Sequence, residues 1–115
     1  MQAFTLSATD KALADLFDSW IDGEISNKKY KASLESKENY PSDTASYKYA
    51  VKYATSKSNR DDGVFSYSMH KTFKEAKDEL LQIINLGCAI SGEVIIETED
   101  EEVILFGNFP KKKIY

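Results

Sequence analysis

The feature that most constrains the fold of this 115-residue chain is the segment from Thr72 to Gly87. Its first four residues, Thr-Phe-Lys-Glu, match a capping box, in which a threonine and a glutamate three positions later satisfy each other's free backbone N–H groups. An amphipathic stripe follows, at Phe73, Ala76, Leu80, Ile83 and Ile84. Gly87 is typical of the position after a helix end. The segment therefore predicts a helix over residues 73–86, whose apolar face must be covered.

Residues 8–23 predict a second amphipathic helix. Ser7 or Thr9 is the expected N-cap, and Gly23 is a natural stop. The apolar stripe that would face a core consists of Ala12, Leu13, Leu16, Phe17, Trp20 and Ile21. Residues 26–39 give a weaker helical signal, anchored only by Tyr30 and Leu34, and a loop follows at 39–43.

Residues 46–55 fit two patterns. Tyr47, Tyr49, Val51 and Tyr53 alternate as in a half-buried strand, although the spacing of some apolar residues also fits a helix. Enrichment in tyrosine and valine favours the strand. A turn is predicted at 58–63 and a second strand at 64–70, which together suggest a hairpin. We expect the tyrosines to join Phe65 and Tyr67 in one aromatic sheet face, covered by the helices.

Residues 93–109 predict a second hairpin, with apolar runs at 94–96 and 103–106 around an acidic turn. The predicted fold class is therefore α+β, with a mostly antiparallel sheet of about four strands, formed by two hairpins, packed against the N-terminal helix and the helix at 73–86. Residues 1–115 are expected to form a single domain with a mobile tail at 110–115. The run at 103–106 is apolar at every position: at a sheet edge it would invite a homodimer, whereas covered on both faces it would be a central strand.

Charge is distributed unevenly along the chain. The formal net charge is −4, yet residues 26–60 hold eight basic and three acidic residues, a net of +5. The total disfavours a general affinity for nucleic acid, while the middle segment could still bind phosphates locally. No run approaches the ~20 apolar residues of a membrane span. A lone cysteine, Cys88, and the lack of a signal-peptide pattern predict a soluble cytoplasmic protein.

The sequence contains no phosphate loop, dinucleotide fingerprint, serine elbow or calcium-loop spacing. His70 and Cys88 are the one candidate dyad for nucleophilic catalysis, and only their residue types support it. A buried small Cys and a solvated His are the more ordinary interpretations. We therefore expect no enzymatic activity, no cofactor and no metal.

The leading functional hypothesis is a small acidic protein-binding module. The scarcity of Arg, Gly and Pro beside abundant Lys, Ile, Asn, Phe and Tyr suggests AT-rich codons, as in a bacteriophage, another mobile element or a low-GC bacterium. In a phage or mobile element, such a protein often inhibits a host enzyme or defence complex. The predicted partner-binding residues lie in two acidic segments and are Asp15, Asp18, Asp22, Glu97, Glu99, Asp100 and Glu101.

The alternative is a nucleic-acid- or nucleotide-binding domain that uses the basic middle segment, residues 28–60. Binders of single strands combine stacked aromatic rings with nearby cations. The residues that would serve this role are Lys28, Lys29, Lys48, Lys52 and Tyr49. Core packing of the tyrosines is the competing explanation, because both predicted helices need an apolar face to cover.

Overall fold

The structure is a computed structural model that describes residues 3–37, 47–110, 112 and 114. Within them, the helices are α1 (Ala8–Ile21), α2 (Asn27–Lys37), α3 (Lys57–Asp61) and α4 (Phe73–Asn85). The strands are β1 (Tyr49–Ala54), β2 (Ser66–His70), β3 (Ser91–Glu97) and β4 (Glu102–Asn108). These elements confirm the predicted α+β class and the strand at 46–55. The predicted loop at 39–43 lies outside the described residues.

The four strands form one antiparallel sheet in the order β2-β1-β3-β4. Both expected hairpins are present, and β1 also pairs with β3. The register of β3 and β4 shifts between Val94 and Ile95, so β4 contains a bulge at Leu105. The apolar run at 103–106 is therefore part of an outer strand, and β2 is the other outer strand.

Helix caps follow the sequence closely. At α1, Ser7 and Asp10 form a complete capping box: each backbone N–H donates to the other's side chain, at 3.2 and 3.1 Å. At α4, the Thr72 hydroxyl accepts from the backbone N–H of Glu75 at 3.1 Å. Gly87 follows α4 with a φ of 78°, the left-handed conformation that favours glycine. These local signals fix where both amphipathic helices begin and end.

The core lies between the sheet and the two long helices. Helix α4 packs over β1 and β3, where Leu80 and Phe73 meet Val51 and Val94. Helix α1 packs along β4, and α2 packs on α1, where Trp20 and Tyr30 stack with ring centroids 4.6 Å apart. The weakly predicted α2 is thus held by its two apolar anchors, which are both fully buried.

The predicted turn at 58–63 is wrong in part, because residues 57–61 form the short helix α3. The Ser56 hydroxyl accepts from the backbone N–H of Asn59 at 3.1 Å and caps this helix. Serine before a short polar run favours either a turn or one helical turn, and here the helix forms. Gly63, with a φ of 73°, then redirects the chain into β2.

The single aromatic sheet face predicted from the sequence does not form. In the β1–β2 register, Tyr49 lies opposite His70 and Tyr53 lies opposite Ser66. Because directly opposite residues share a face, the β1 tyrosines lie on the α4 side with serine and histidine, and Tyr67 points away from them. Tyr47 and Tyr67 are 57% and 55% exposed. The side of β2, β1 and β3 turned away from α4 is called the open face below.

Candidate functional site

The open face carries an apolar pocket of about 310 Å³. Ala50 and Ile95, which are almost fully buried, form its floor. Tyr67 and Met69 form its rim on β2 and are 55% and 48% exposed. The remaining lining residues are Phe4, Lys48 and Glu97. None of these seven residues belongs to a helix. Within the part of the chain that the structure describes, this part of the sheet is therefore open to a partner.

Phe4 is held in place by the end of β3. Its backbone N–H donates to the carbonyl of Glu97 at 2.8 Å, and its ring packs against the core. Phe4 also lines a second, shallower depression that contains Lys11 and the acidic turn residues Glu99, Asp100 and Glu101. The apolar pocket and the acidic turn therefore share one wall and form a contiguous surface.

The acidic residues predicted to bind a partner fall into three settings. Glu99, Asp100 and Glu101 are exposed in the β3–β4 turn, and Glu97 is half-buried at the pocket. The α1 residues Asp15, Asp18 and Asp22 are also exposed. Their spacing places them in one stripe with Lys11, which itself borders the acidic turn.

Charges on the open face are coupled to one another. Glu97 lies opposite Glu102, and the hydrogen bond that the protonated Glu97 carboxyl donates to Glu102, with a smaller contribution from burial, raises the pKa of Glu97. Burial raises the pKa of Glu93 as well, although Lys52 partly offsets it. For Lys52, burial opposes the charged form, but its hydrogen bond and attraction to Glu102 are stronger in sum and raise its pKa. The Lys52 ammonium is 3.1 Å from the Glu102 carboxylate.

The residues predicted for nucleic-acid binding are not brought together. Lys28 and Lys29 are exposed on α2, whereas Lys48 and Tyr49 are buried. Lys48 lies 2.8 Å from the buried carboxylate of Asp10, and the Tyr49 hydroxyl donates to the same carboxylate at 2.8 Å. Neither the Lys48 charge nor the Tyr49 ring faces solvent, because both are part of the attachment of α1 to the sheet.

The His70–Cys88 dyad does not form. His70 precedes α4 and Cys88 follows it, so a 13-residue helix of about 20 Å separates them. His70 instead contacts Glu79 of α4, and the Ser68 hydroxyl lies 3.2 Å from the same ring nitrogen, Nε2. A catalytic triad uses the two ring nitrogens separately, one for the serine and one for the acid. This cluster therefore ties α4 to β2, and no sequence pattern indicated Glu79 as its third member.

The described residues contain neither a metal-binding cluster nor a membrane-spanning helix. No group of three or more His, Cys, Asp or Glu side chains among them converges in a way that could hold a metal ion. None of the described helices is long and apolar enough to cross a membrane. The pocket and the adjoining acidic turn remain the most distinctive surface feature of this part of the chain.

Comparison with protein-family models, with curated proteins and with solved structures gave no match for this chain. Its function must therefore be inferred from the geometry of its own surface.

Proposed function

We propose that this chain is a small acidic protein-binding module whose contact surface is the apolar pocket together with the acidic β3–β4 turn. The observation that carries this proposal is the exposure of Tyr67 and Met69 around the buried floor formed by Ala50 and Ile95. Tyrosine and methionine are enriched at protein interfaces, and methionine adapts readily to a partner's shape. Half-exposed apolar side chains around a pocket are typical anchor points for a partner.

The chemistry of the surface defines the kind of partner. A pocket with an apolar floor accepts a large apolar side chain from the partner, which displaces water from Ala50 and Ile95. Beside it, Glu99, Asp100 and Glu101 attract basic residues. The partner is therefore expected to present an exposed apolar residue flanked by lysine or arginine.

Occupying such a basic surface on another protein would block whatever that protein binds there. The chain would then act as an inhibitor of an enzyme or defence complex. A source in an AT-rich phage or mobile element favours this version of the proposal. The separation of Lys28 and Lys29 from buried Lys48 and Tyr49 favours a protein partner over nucleic acid.

The test is affinity capture from a bacterial lysate, with and without nuclease, read by mass spectrometry. Two variants change the proposed surface: Ala50→Leu fills the pocket from its floor, and Glu99→Lys with Glu101→Lys reverses the charge of the turn. The control is Leu86→Ala, since Leu86 is the 70% exposed C-cap of α4 and lies outside the pocket. Circular dichroism checks that each variant is folded.

We expect one stoichiometric protein that survives nuclease and binds the control as strongly as the wild type. Loss of a central apolar anchor typically costs more than about 2 kcal/mol, so Ala50→Leu should weaken binding by more than about tenfold. Equal capture by all variants would contradict the assigned surface. Captured proteins that disappear on nuclease treatment would instead support nucleic-acid binding by residues 28–60.

A further inference from the structure

Strand β2 has an unpaired outer edge among the residues that the structure describes. It is hydrogen-bonded to β1 on one side, and the sheet order places no strand on the other. Its backbone N–H and C=O groups on that side are a template for another strand. The devices that normally protect an edge, such as lysine, proline or a bulge within the strand, are absent from Ser66–His70.

The other outer strand, β4, is less suited to this role. Its bulge at Leu105 interrupts the regular register, and bulges twist an edge away from pairing. Its side chains from Leu105 to Asn108 are buried, and α1 packs along it. The apolar run in β4 thus serves the core, so any strand added to this sheet is expected at β2.

We propose that β2 pairs antiparallel with β2 of a second copy of this chain, about a two-fold axis at Ser68. This register overlaps the whole strand. It places Tyr67 opposite Met69 of the second copy on the open face, and it places Ser66 opposite His70 on the α4 side. An aromatic ring facing a thioether is a favourable contact, and cross-strand pairs that include an aromatic side chain stabilise a sheet.

The charges that flank β2 are complementary in the same arrangement. Asp62, the C-cap of α3, lies four residues before the strand, and Lys71 follows the strand directly, both exposed. Asp61 beside it already pairs with Arg60, at 3.6 Å. In an antiparallel two-fold pair, the start of one strand lies beside the end of the other. Lys71 of each copy therefore lies toward Asp62 of its neighbour, which favours the antiparallel two-fold arrangement over a parallel one.

Pairing of β2 between two copies would change the arrangement of the open faces as well as the mass of the particle. A two-fold axis perpendicular to the sheet places both open faces on the same side of an eight-stranded sheet. Each apolar pocket then gains Tyr67 and Met69 of the neighbouring copy close to its own rim. The dimer would present two pockets side by side, and it could engage a symmetric partner at two points.

The experiment measures mass in solution by light scattering after size exclusion, over a wide range of protein concentration. The wild type is expected to reach twice its chain mass of 13.0 kDa. One variant combines Tyr67→Glu with Met69→Glu, which places like charges opposite each other in the proposed register. A second combines Tyr67→Lys with Met69→Lys, and Leu86→Glu is the control, an equally polar change at an exposed apolar residue outside β2.

Both double variants should be monomeric and folded, the control should remain dimeric, and an equimolar mixture of the Glu and Lys variants should restore the dimer. A wild type that stays monomeric at its solubility limit would overturn the proposal, and so would a dimer that neither double variant affects. Failure of the mixture to restore the dimer would overturn the proposed register. No partner protein is needed, so this test can fail while the capture experiment succeeds.

Discussion

Asp10 shows how one side chain can serve several structural roles. It completes the α1 capping box, accepts a hydrogen bond from Tyr49 and lies 2.8 Å from the Lys48 ammonium, all in a fully buried position. A buried charged group requires an opposite charge, because transfer from water is costly for either ion alone. The pair therefore fixes the position of α1 relative to the start of β1.

We predict that Asp10→Asn destabilises the fold by about 3–5 kcal/mol, because the amide removes the carboxylate charge that the buried Lys48 ammonium contacts at 2.8 Å. Asparagine keeps only one of the two carboxylate oxygens, so it removes the charge together with one acceptor, either for the Tyr49 hydroxyl or for the Ser7 N–H. Urea unfolding measures the free energy of unfolding. Asp15→Asn, on the exposed side of the same helix, is the control and should change it by less than about 0.5 kcal/mol.

Adding Lys48→Met to Asp10→Asn should recover much of the lost stability, since an apolar side chain of similar length replaces the buried ammonium. If the double variant is as unstable as Asp10→Asn alone, the charge pair is not the cause of the loss.

At the scale of single residues, the sequence predicted the helix caps but did not indicate the buried ion pair of Asp10 and Lys48. Ser7 and Thr72 act through residues three positions away, so their roles can be read locally. Lys48 and Tyr49 meet Asp10 across 38 and 39 positions, and their sequence neighbourhood resembles a basic aromatic strand. Only the packing of α1 on the sheet shows that both are buried.

Helix α4 approaches β3 closely at Gly92. A Cβ atom there would clash with the Cδ1 atom of Leu80, and it would lie 3.0 Å from the carbonyl oxygen of Lys52. The backbone of Gly92 needs no left-handed conformation, so the absence of a side chain is what this position requires. The distance between α4 and the sheet depends on this contact between Gly92 and Leu80.

We predict that Gly92→Ala destabilises the fold by about 1–3 kcal/mol, the usual cost of forcing an extra methyl group into a packed core. Thermal and urea unfolding measure this cost. In a Leu80→Ala background the clash is relieved, so the same substitution should cost less. Equal costs in the two backgrounds would contradict the packing argument.

Among the elements, the amphipathic helices and the β-branched strands were predictable because their periodicity is local. The strand at 49–54 was ambiguous from its own pattern, and pairing with β2 and β3 on both sides determines it. Which side chains of β2 lie on the same side of the sheet as the β1 tyrosines was not predictable. This depends on the register of β1 and β2, and the connection between these strands contains the helix α3, which was not predicted.

The free energy of unfolding of the whole molecule depends on pH through two glutamates of the open face. Glu93 and Glu97 have pKa values raised above their ordinary 4.5, by burial and by the neighbouring Glu102. In the window between the ordinary and the raised values, the folded state binds more protons than the unfolded state. These two groups therefore lower the free energy of unfolding as pH rises through that window.

We predict that Glu97→Gln raises stability at pH 7 by about 0.3 kcal/mol, a value limited by solvent screening. Glutamine removes the like charge opposite Glu102 and can still donate a hydrogen bond to it. The gain should vanish at acidic pH, where the wild-type carboxyl is already protonated. Thermal unfolding from pH 4 to pH 8 measures this dependence.

Glu99→Gln, in the exposed turn, is the matched control for that measurement. A constant difference between Glu97→Gln and the wild type at every pH would show that its effect is not the loss of a titrating charge.

At the scale of the whole chain, composition and periodicity were enough to predict the α+β class. The strand order was beyond them, since β1 and β3 are separated by β2 and α4 in sequence. The open-face pocket was equally inaccessible, because its residues come from the N-terminal segment and three strands. The acidic turn was found from sequence because its residues are consecutive.

The register of β2 against β1 decides which side chains of β2 face α4, and an eleven-residue connection, residues 55–65, joins the two strands. The strand period is two, so an insertion or deletion in the connection that shifts this register by one residue exchanges the two sides of β2. Tyr67 and Met69 would then turn toward α4, and the serines would line the pocket. A single-codon event in the connection that shifts the register would thus remove the proposed contact surface. It would do so without substituting any residue in the strands.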